Sequence, residues 1–424
     1  MRVHSSPRSG LRTRVVCSLA TALSVLAALM PLSTNAQYIS TNLVSNASGA
    51  LQQDPNLVDG WGLVSFPTSP FWVSNQNTST SSLYTGNGTI VPLVVQIPCI
   101  SSGTPTVPCP VPGLFPIAPP FGPSGIVANT FAATGAFSVS ESGTSGPALF
   151  IFDTLDGLVV GWNPNVNSTQ AIVAANRSSA GAFYTGLAIS GSASGPHLYG
   201  ANALGGIDVF DSTFTLVNTF AADSSPGPFT PYGLQTIGSK LYVTYANPVV
   251  PGGIVDICDL NISATAPSCR RLTASFKKPF FLNGPWGLAL APDNFGVLSN
   301  RLLVGNLASG RITAFNTRTG HFEGTLRLTD GKPFTVVGLW ALEFGGGSPA
   351  NGPTNHLFFT AGPAAPGMPI FSDGLFGVIE PARSEPNPED GEKQQGGRNA
   401  ALNEEKRMVS TVARKHSGTP HTFS

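Results

Sequence analysis

The sequence predicts an all-β protein, a six-bladed β-propeller closed by an N-terminal strand, and three observations carry that expectation. The chain has 48 Gly and 37 Pro in 424 residues and is only 10% charged, which favours short strands and tight turns over long helices. Four apolar runs separated by turn-forming residues recur six times. The last recurrence stops after three runs, and the beginning of the chain holds an apolar run that no unit claims.

The stretch "GPWGLALAPDNFGVLSNRLLVGNLASGRITAFNTRTGHFEGTLR", Gly284 to Arg327, displays the unit in full. Its first run has counterparts in "GWGLVSF", "PSGIVAN", "YTGLAIS", "PYGLQTI" and "LWALEFG". The second run recurs as "FWVSN", "LFIFD", "HLYGAN", "KLYVTY", "RLLVGN" and "HLFFTA", and a third follows in every unit, from "SSLYTGN" to "GLFGVIE". The period is 47 to 63 residues, counted between the paired glycines or their equivalents. Repeats of about 50 residues with four strands each are the signature of propeller blades, which bury their faces against one another and are unstable alone. Residues 37–381 are therefore expected to form one domain. The sixth unit lacks its outer strand, and "YISTNLV" (Tyr38 to Val44) is expected to supply it beside Gly374 to Glu380. Two insertions break the pattern: Cys99 to Pro123 is Pro-rich, and Thr130 to Pro147 is expected to form an extra hairpin.

The ends differ in kind from the body. Arg2, Arg8, Arg12 and Arg14 precede an apolar run from Val15 to Leu32, diluted by Ser18, Thr21 and Ser24 and followed by small residues at 34–36, so residues 1–36 read as a secretory signal peptide. The expected location is secreted or extracellular, periplasmic in a Gram-negative source, with no membrane span after cleavage. Residues 382–424 are too polar to bury a core and are expected to be a disordered tail. Four cysteines remain in the mature chain, an even number in an exported protein, and their near-equal spacing pairs Cys99 with Cys109 and Cys258 with Cys269. Each bridge closes a local loop worth about 3 kcal/mol in the chain-entropy treatment. Six Asn-x-Ser/Thr sequons occur, at Asn46, Asn77, Asn87, Asn167, Asn176 and Asn261, a number that composition alone accounts for.

The phrases "DPNLVDGWGL", "SPFWVSN", "FTPYGLQTIGSKLYVTYA", "GPWGLALAPDNFG", "LLVGNLASGRITAFN" and "DGLFGVI" together resemble a family of exported, functionally uncharacterised, mainly bacterial proteins, some with C-terminal sorting signals. The resemblance spans Ile39 to Ile379, and the polar tail departs from the sorted members. At the level of the repeat alone, the blades are similar to NHL-type propellers and to the gluconolactonase-like group. The resemblance implies fold and export and carries no activity.

Charge and motifs narrow the function. Residues 37–381 carry 11 basic against 16 acidic side chains, which excludes the basic stripe of a nucleic-acid binder. There is no G-x-S-x-G elbow, H-E-x-x-H helix, P-loop or compact Rossmann fingerprint. The recurrent feature is a column of Asx residues closing the second run: Asn75, Asp153, Asn202 and Asn306. In a propeller these positions share a face with the segments leading into the innermost strands, which contain Asn56, Asp59 and Asn283. Such a ring of oxygens suits a calcium-like divalent ion or saccharide hydroxyls, and gluconolactonase-like enzymes hold a divalent metal at a comparable location, which is what the resemblance implies here. Asx residues at hairpin turns commonly bond their own backbone, and repetition from blade to blade favours such a turn device over the ligand ring. Asp59 and Glu343 are the candidate acid or base by position, and Trp61, Trp286 and Trp340 read as wedges between blades.

Three readings follow. One is an exported, monomeric binding module for an extracellular protein, glycan or surface component, without cofactor. Another is a metal-dependent, lactonase-like hydrolase at the channel mouth. The third is a structural envelope or matrix component.

Overall fold

A computed structural model describes residues 38–109, 121–223, 225–364 and 371–382. The proposed signal peptide, the tail beyond Ala382 and residues 110–120 of the Pro-rich insertion lie outside the described residues. The body is a ring of six antiparallel sheets. From the axis outward, blade 1 comprises Gly60–Val64, Phe71–Asn75, Thr80–Tyr84 and Ile90–Gln96. Blade 2 comprises Pro123–Ala128, Phe150–Thr154, Leu158–Trp162 and Ile172–Asn176. Blade 3 runs through Tyr184–Ser190, His197–Asn202, Gly206–Phe210 and Leu216–Phe220. Blade 4 uses Thr230–Ile237, Lys240–Ala246, Gly253–Asp259 and Ser268–Ser275. Blade 5 uses Pro285–Leu290, Leu302–Asn306, Ile312–Phe315 and Phe322–Thr325.

Blade 6 is built from both regions of the chain. Leu339–Phe344, Leu357–Ala361 and Leu375–Pro381 come from the end of the body, and Tyr38–Ser45 from its beginning is the outer strand. The pairing is antiparallel, from Tyr38 opposite Pro381 to Ser45 opposite Leu375, with a bulge between Asn42 and Val44. Tyr38 anchors it: its hydroxyl donates to the Phe295 carbonyl at 2.7 Å, accepts from the Leu298 amide at 3.2 Å, and its ring lies 4.7 Å from that of Phe295. The closing strand is thus tied to blade 5 as well as to blade 6.

The paired glycines of the repeat have a steric cause. A Cβ on Gly62 would lie 2.7 Å from the Ser124 carbonyl, on Gly125 2.4 Å from the Leu187 amide, on Gly186 2.8 Å from the Tyr232 carbonyl, on Gly233 2.2 Å from the Trp286 carbonyl and on Gly287 2.3 Å from the Trp340 carbonyl. Each innermost strand therefore presents bare backbone to the backbone of the next blade. At the seam between blades 6 and 1 the equivalent position is Ala341.

Six buried apolar clusters hold the interfaces between successive blades. At the seam, Phe71 of blade 1 sits 4.4 Å from Phe358 of blade 6, which stacks 5.7 Å from Phe376. Burial of side chains of this size is worth about 1.5–3 kcal/mol each. Trp162, Phe210 and Phe315 of the third runs are buried in these interfaces. Both disulfides form as paired from the spacing, and Cys258 faces Cys269 directly across two strands of blade 4. The second insertion makes a hairpin of Ser138–Glu141 with Thr144–Pro147, and the Pro-rich one opens with Cys99–Ser101 against Thr104–Thr106.

Candidate functional site

The channel is narrow. Each blade contributes an aliphatic side chain, Leu63, Ile126, Leu187, Leu234, Leu288 and Leu342, and the space they leave is about 30 Å³, on the order of a single water molecule. One end of this channel is covered by aromatic rings. Trp61 stacks on Trp340 at 3.7 Å, Trp286 meets both edge-on at 6.2 and 5.8 Å, and Tyr232 lies 6.4 Å from Trp61. Blades 1 and 4 are opposite each other in the ring, so these contacts cross the axis. Trp61 and Trp340 thus pack between neighbouring blades 1 and 6, and convergence of the innermost strands brings Trp286 and Tyr232 against them across the axis.

Asp59 organises this end. It has φ 51°, a left-handed conformation that turns the chain into the innermost strand, and its side chain is fully buried. The indole N–H of Trp61 donates to Oδ2 and that of Trp340 to Oδ1, both at 2.8 Å, so one carboxylate joins blades 1 and 6. The Trp286 indole donates to the Thr185 carbonyl at 2.7 Å. Burial pushes the Asp59 carboxyl up to about 8, and the two indole donors restrain that rise.

The Asx column serves the blades themselves. Asn75 Nδ2 donates to Ser82 Oγ at 2.9 Å, Asn306 Nδ2 to Thr313 Oγ1 at 3.1 Å, and Asn202 Nδ2 approaches Asp208 Oδ2 at 3.5 Å. Ser82, Asp208 and Thr313 hold equivalent positions midway along the third strand, so the amide clamps the second strand to the third. The oxygens of Asn202 and Asn306 accept the Phe183 and Asn283 amides, capping the connection into the innermost strand. Asn283 Oδ1 accepts from the Gly252 amide, and Asn56 bonds through its amide and Nδ2 to Asp54 Oδ1.

In blade 2, Phe150 pairs with Trp162 as Phe71 does with Tyr84, so the column position falls on Thr154, and Asp153 stands one residue short of it on the other face of its strand. Its Oδ1 accepts from Ser124 Oγ at 2.8 Å and the Gly125 amide at 2.6 Å, while Oδ2 is buried without a partner. Of the seven residues, Asp59 bonds across to the Trp340 indole of blade 6, while Asn56, Asn75, Asp153, Asn202, Asn283 and Asn306 bond within their own blade or to an adjoining connection. Among the described residues no group of three or more His, Cys, Asp or Glu side chains is placed to share a metal ion.

Two buried acids escaped the sequence reading. Asp208 and Asp256 stand inside the apolar runs "GIDVF" and "GIVDICD", and only the register reveals that both occupy the clamp position. Asp208 accepts from Tyr184 Oη and Thr219 Oγ1, at 2.7 and 2.6 Å, whereas both oxygens of Asp256 are buried without a partner because Tyr245 replaces the Asx residue of blade 4. Burial pushes Asp256 up to about 7, with Asp223 adding and Arg271 opposing, and burial alone pushes Glu343 on the innermost strand of blade 6 up to about 8. Asp153 is raised to about 6 by burial.

These shifts have a definite sign. An unfolded carboxylate titrates near pH 4, so between about pH 4 and pH 8 the folded chain retains protons that the unfolded chain has lost. That stability is fully present below about pH 4 and disappears as pH rises through the folded values. Melting temperature at constant ionic strength is expected to fall from pH 5 through pH 8; a rise over this interval would contradict the assignment.

No family model matches the chain. Among solved structures, a glucose dehydrogenase aligns over 82% of this chain and all of its own, at 14% identity and a TM-score of 0.47. The PQQ-bound aldose sugar dehydrogenase of Streptomyces coelicolor aligns over 81% and 99%, at 13% identity and a TM-score of 0.44. Among curated proteins, Uncharacterized protein L690 of Acanthamoeba polyphaga mimivirus is 28% identical over 353 residues, 80% of this chain and 84% of the relative. Uncharacterized protein R648 of the same virus is 30% identical over 339 residues, 75% of each chain. On that extent of similarity, the chain belongs to the family of uncharacterised proteins that includes R648 of Acanthamoeba polyphaga mimivirus.

Proposed function

We propose that the chain is an exported, non-catalytic binding module for an extracellular protein, glycan or surface component, and that its contact face is the one bearing the turns between second and third strands. The observation that carries this reading is an arc of exposed apolar side chains on that face: Leu204 (76% exposed), Val249 (85%), Phe276 (52%) and Val337 (53%), spread over blades 3 to 5 and their connections. Apolar groups gathered on one face of a soluble domain mark contact surfaces. Bonds between loops keep the arc in place, including Asn247 Nδ2 to the Pro228 carbonyl at 2.7 Å and Gly252 to Asn283 Oδ1 at 3.2 Å. Arg271 pairs with Asp223 and lies 5.8 Å from the centre of the Phe276 ring, fixing that ring at the surface. Export is supported by the basic and apolar leader and by two disulfides, which persist in oxidising compartments.

The metal-dependent hydrolase has less support. The oxygens of Asp59, Asn202, Asn283 and Asn306 are engaged by indole and amide donors, and its two candidate acids are raised by burial with no bond between them. The test uses the secreted chain, labelled and mixed with cells of its own source. The protein is expected to sediment with the cells, the double variant Val249→Ser/Phe276→Ser to lose about tenfold in affinity, which is about 1.4 kcal/mol, and a panel of lactones to react at the uncatalysed rate with or without calcium. Undiminished sedimentation of the variant, or lactone turnover abolished by Asp59→Asn, overturns the proposal.

A further inference from the structure

Six sequons differ sharply once their side chains are placed. Asn77 is buried and its Nδ2 donates to the Phe371 carbonyl at 2.7 Å. Asn167 Nδ2 donates to Glu141 Oε2 and Asn261 Nδ2 to Ser239 Oγ, each at 2.8 Å. Asn46 is held at both atoms, with Oδ1 accepting from the Gly374 amide at 2.8 Å and Nδ2 facing Asp373 Oδ1 at 3.5 Å.

Asn87 and Asn176 are exposed, and their Nδ2 atoms have no partner among the described residues. In both, the hydroxyl of the sequon itself donates to the asparagine oxygen: Thr89 Oγ1 to Asn87 Oδ1 at 2.9 Å, and Ser178 Oγ to Asn176 Oδ1 at 2.7 Å. That bond holds the carboxamide with its oxygen folded inward, which leaves the nitrogen as the group offered to a reagent.

The surroundings separate the two. Asn87 lines a groove of about 750 Å³ between the turn it occupies in blade 1 and the outer half of blade 6. That volume falls within the range of pockets that enclose small ligands. Leu43 and Val378 form an apolar floor, and Thr41, Ser348, His356 and Glu380 supply hydroxyl, imidazole and carboxylate groups along its sides. The walls are firm: Gly86 donates to the Ala350 carbonyl at 3.0 Å, and buried Asn351 bonds to Phe66, Pro67 and Ser348. Asn176 lies at the end of the outer strand of blade 2 and lines none of the described pockets.

We propose that Asn87 and Asn176 are N-glycosylation acceptors, and that the saccharide on Asn87 occupies the groove beside it while that on Asn176 extends into solvent. The donor class is an oligosaccharide on a polyprenyl pyrophosphate. The carboxamide nitrogen forms a bond to the anomeric carbon, the bond from that carbon to the pyrophosphate oxygen breaks, the lipid pyrophosphate leaves with the electron pair, and one amide proton passes to a base of the transferase. A pyranose matches the groove because its C–H faces suit Leu43 and Val378 and its hydroxyls suit the polar sides. Attachment at Asn77 would require breaking a buried hydrogen bond to Phe371, which opposes glycosylation there. The inference rests on the export reading.

The full chain with its own leader is to be secreted from a eukaryotic cell line and its sequons mapped by mass spectrometry. Occupancy is expected at Asn87 and Asn176 and not at Asn77. Enzymatic removal of the glycans, Asn87→Gln and Thr89→Ala are each expected to lower the melting temperature by about 3 °C, whereas Asn176→Gln is not. The same variants made in bacteria, without glycans, are expected to melt with the bacterial wild type. An occupied Asn176 beside an empty Asn87 overturns the acceptor assignment; an occupied Asn87 whose glycan can be removed without change overturns the groove assignment. Failure of export itself appears differently, as a retained chain with its leader intact, and replacing the leader then puts the sequons to the same test.

Discussion

Removal of Tyr38–Ser45 is expected to abolish the cooperative melt of the propeller, leaving a chain that aggregates or unfolds without a transition. The strand is the fourth of blade 6, and the Leu375–Pro381 strand would lose the partner it has from Tyr38 to Ser45. An unpaired strand in a ring that otherwise seals its sheets is also an aggregation template. A subtler variant isolates the anchor. Tyr38→Phe keeps the ring against Phe295 but leaves the Phe295 carbonyl and the Leu298 amide without their hydroxyl partner, for an expected loss of about 1–3 kcal/mol. Thermal melts of both proteins against wild type settle the matter: an unchanged transition after the deletion would mean that blade 6 is complete with three strands.

Gly233→Ala is the second severe case. The new methyl would stand 2.2 Å from the Trp286 carbonyl oxygen, a backbone atom in the neighbouring blade that no rotamer change can move. Overpacking in a rigid interior costs about 1–3 kcal/mol and sometimes more, and here relief requires two innermost strands to separate. The expected result is loss of soluble protein, or a melting temperature lowered by more than in Gly238→Ala, where the added Cβ meets nothing within 4 Å but the backbone is left-handed. Equal effects of the two substitutions would show that the close approach of blades 4 and 5 costs no more than an alanine held in a left-handed backbone, and that the contact does not set the requirement for glycine.

The sequence discloses the fold through features that are local and repeated. The spacing of Gly62, Gly125, Gly186, Gly233 and Gly287 marks the innermost strands because each must pass close to the next blade, whichever side chains surround it. The vacancy in the sixth unit and the unclaimed run at Tyr38 were readable for the same reason, since a ring of repeats makes a missing strand countable. What lay beyond the sequence was direction. Asn75, Asn202 and Asn306 look like a ligand column until the register places Ser82, Asp208 and Thr313 opposite them. The indoles of Trp61 and Trp340 converge on Asp59 although 281 positions separate Trp340 from that carboxylate, and a pairing of that range leaves no trace in local spacing. Asp256 was hidden by its apolar neighbours, because a lone acid within a run of Ile and Val contributes almost nothing to a hydrophobic pattern.

The closing strand also fixes an order of events during synthesis. Ser45 Oγ bonds to the Gly374 carbonyl, 329 positions further along the chain. A ribosome adding roughly 5–20 residues per second therefore finishes five blades before the partner of the first strand exists. Throughout that interval Tyr38–Ser45 must remain unpaired and available, exposing Leu43 and Val44, which the finished ring buries. The earliest strand of the ring to be made is the last to be placed.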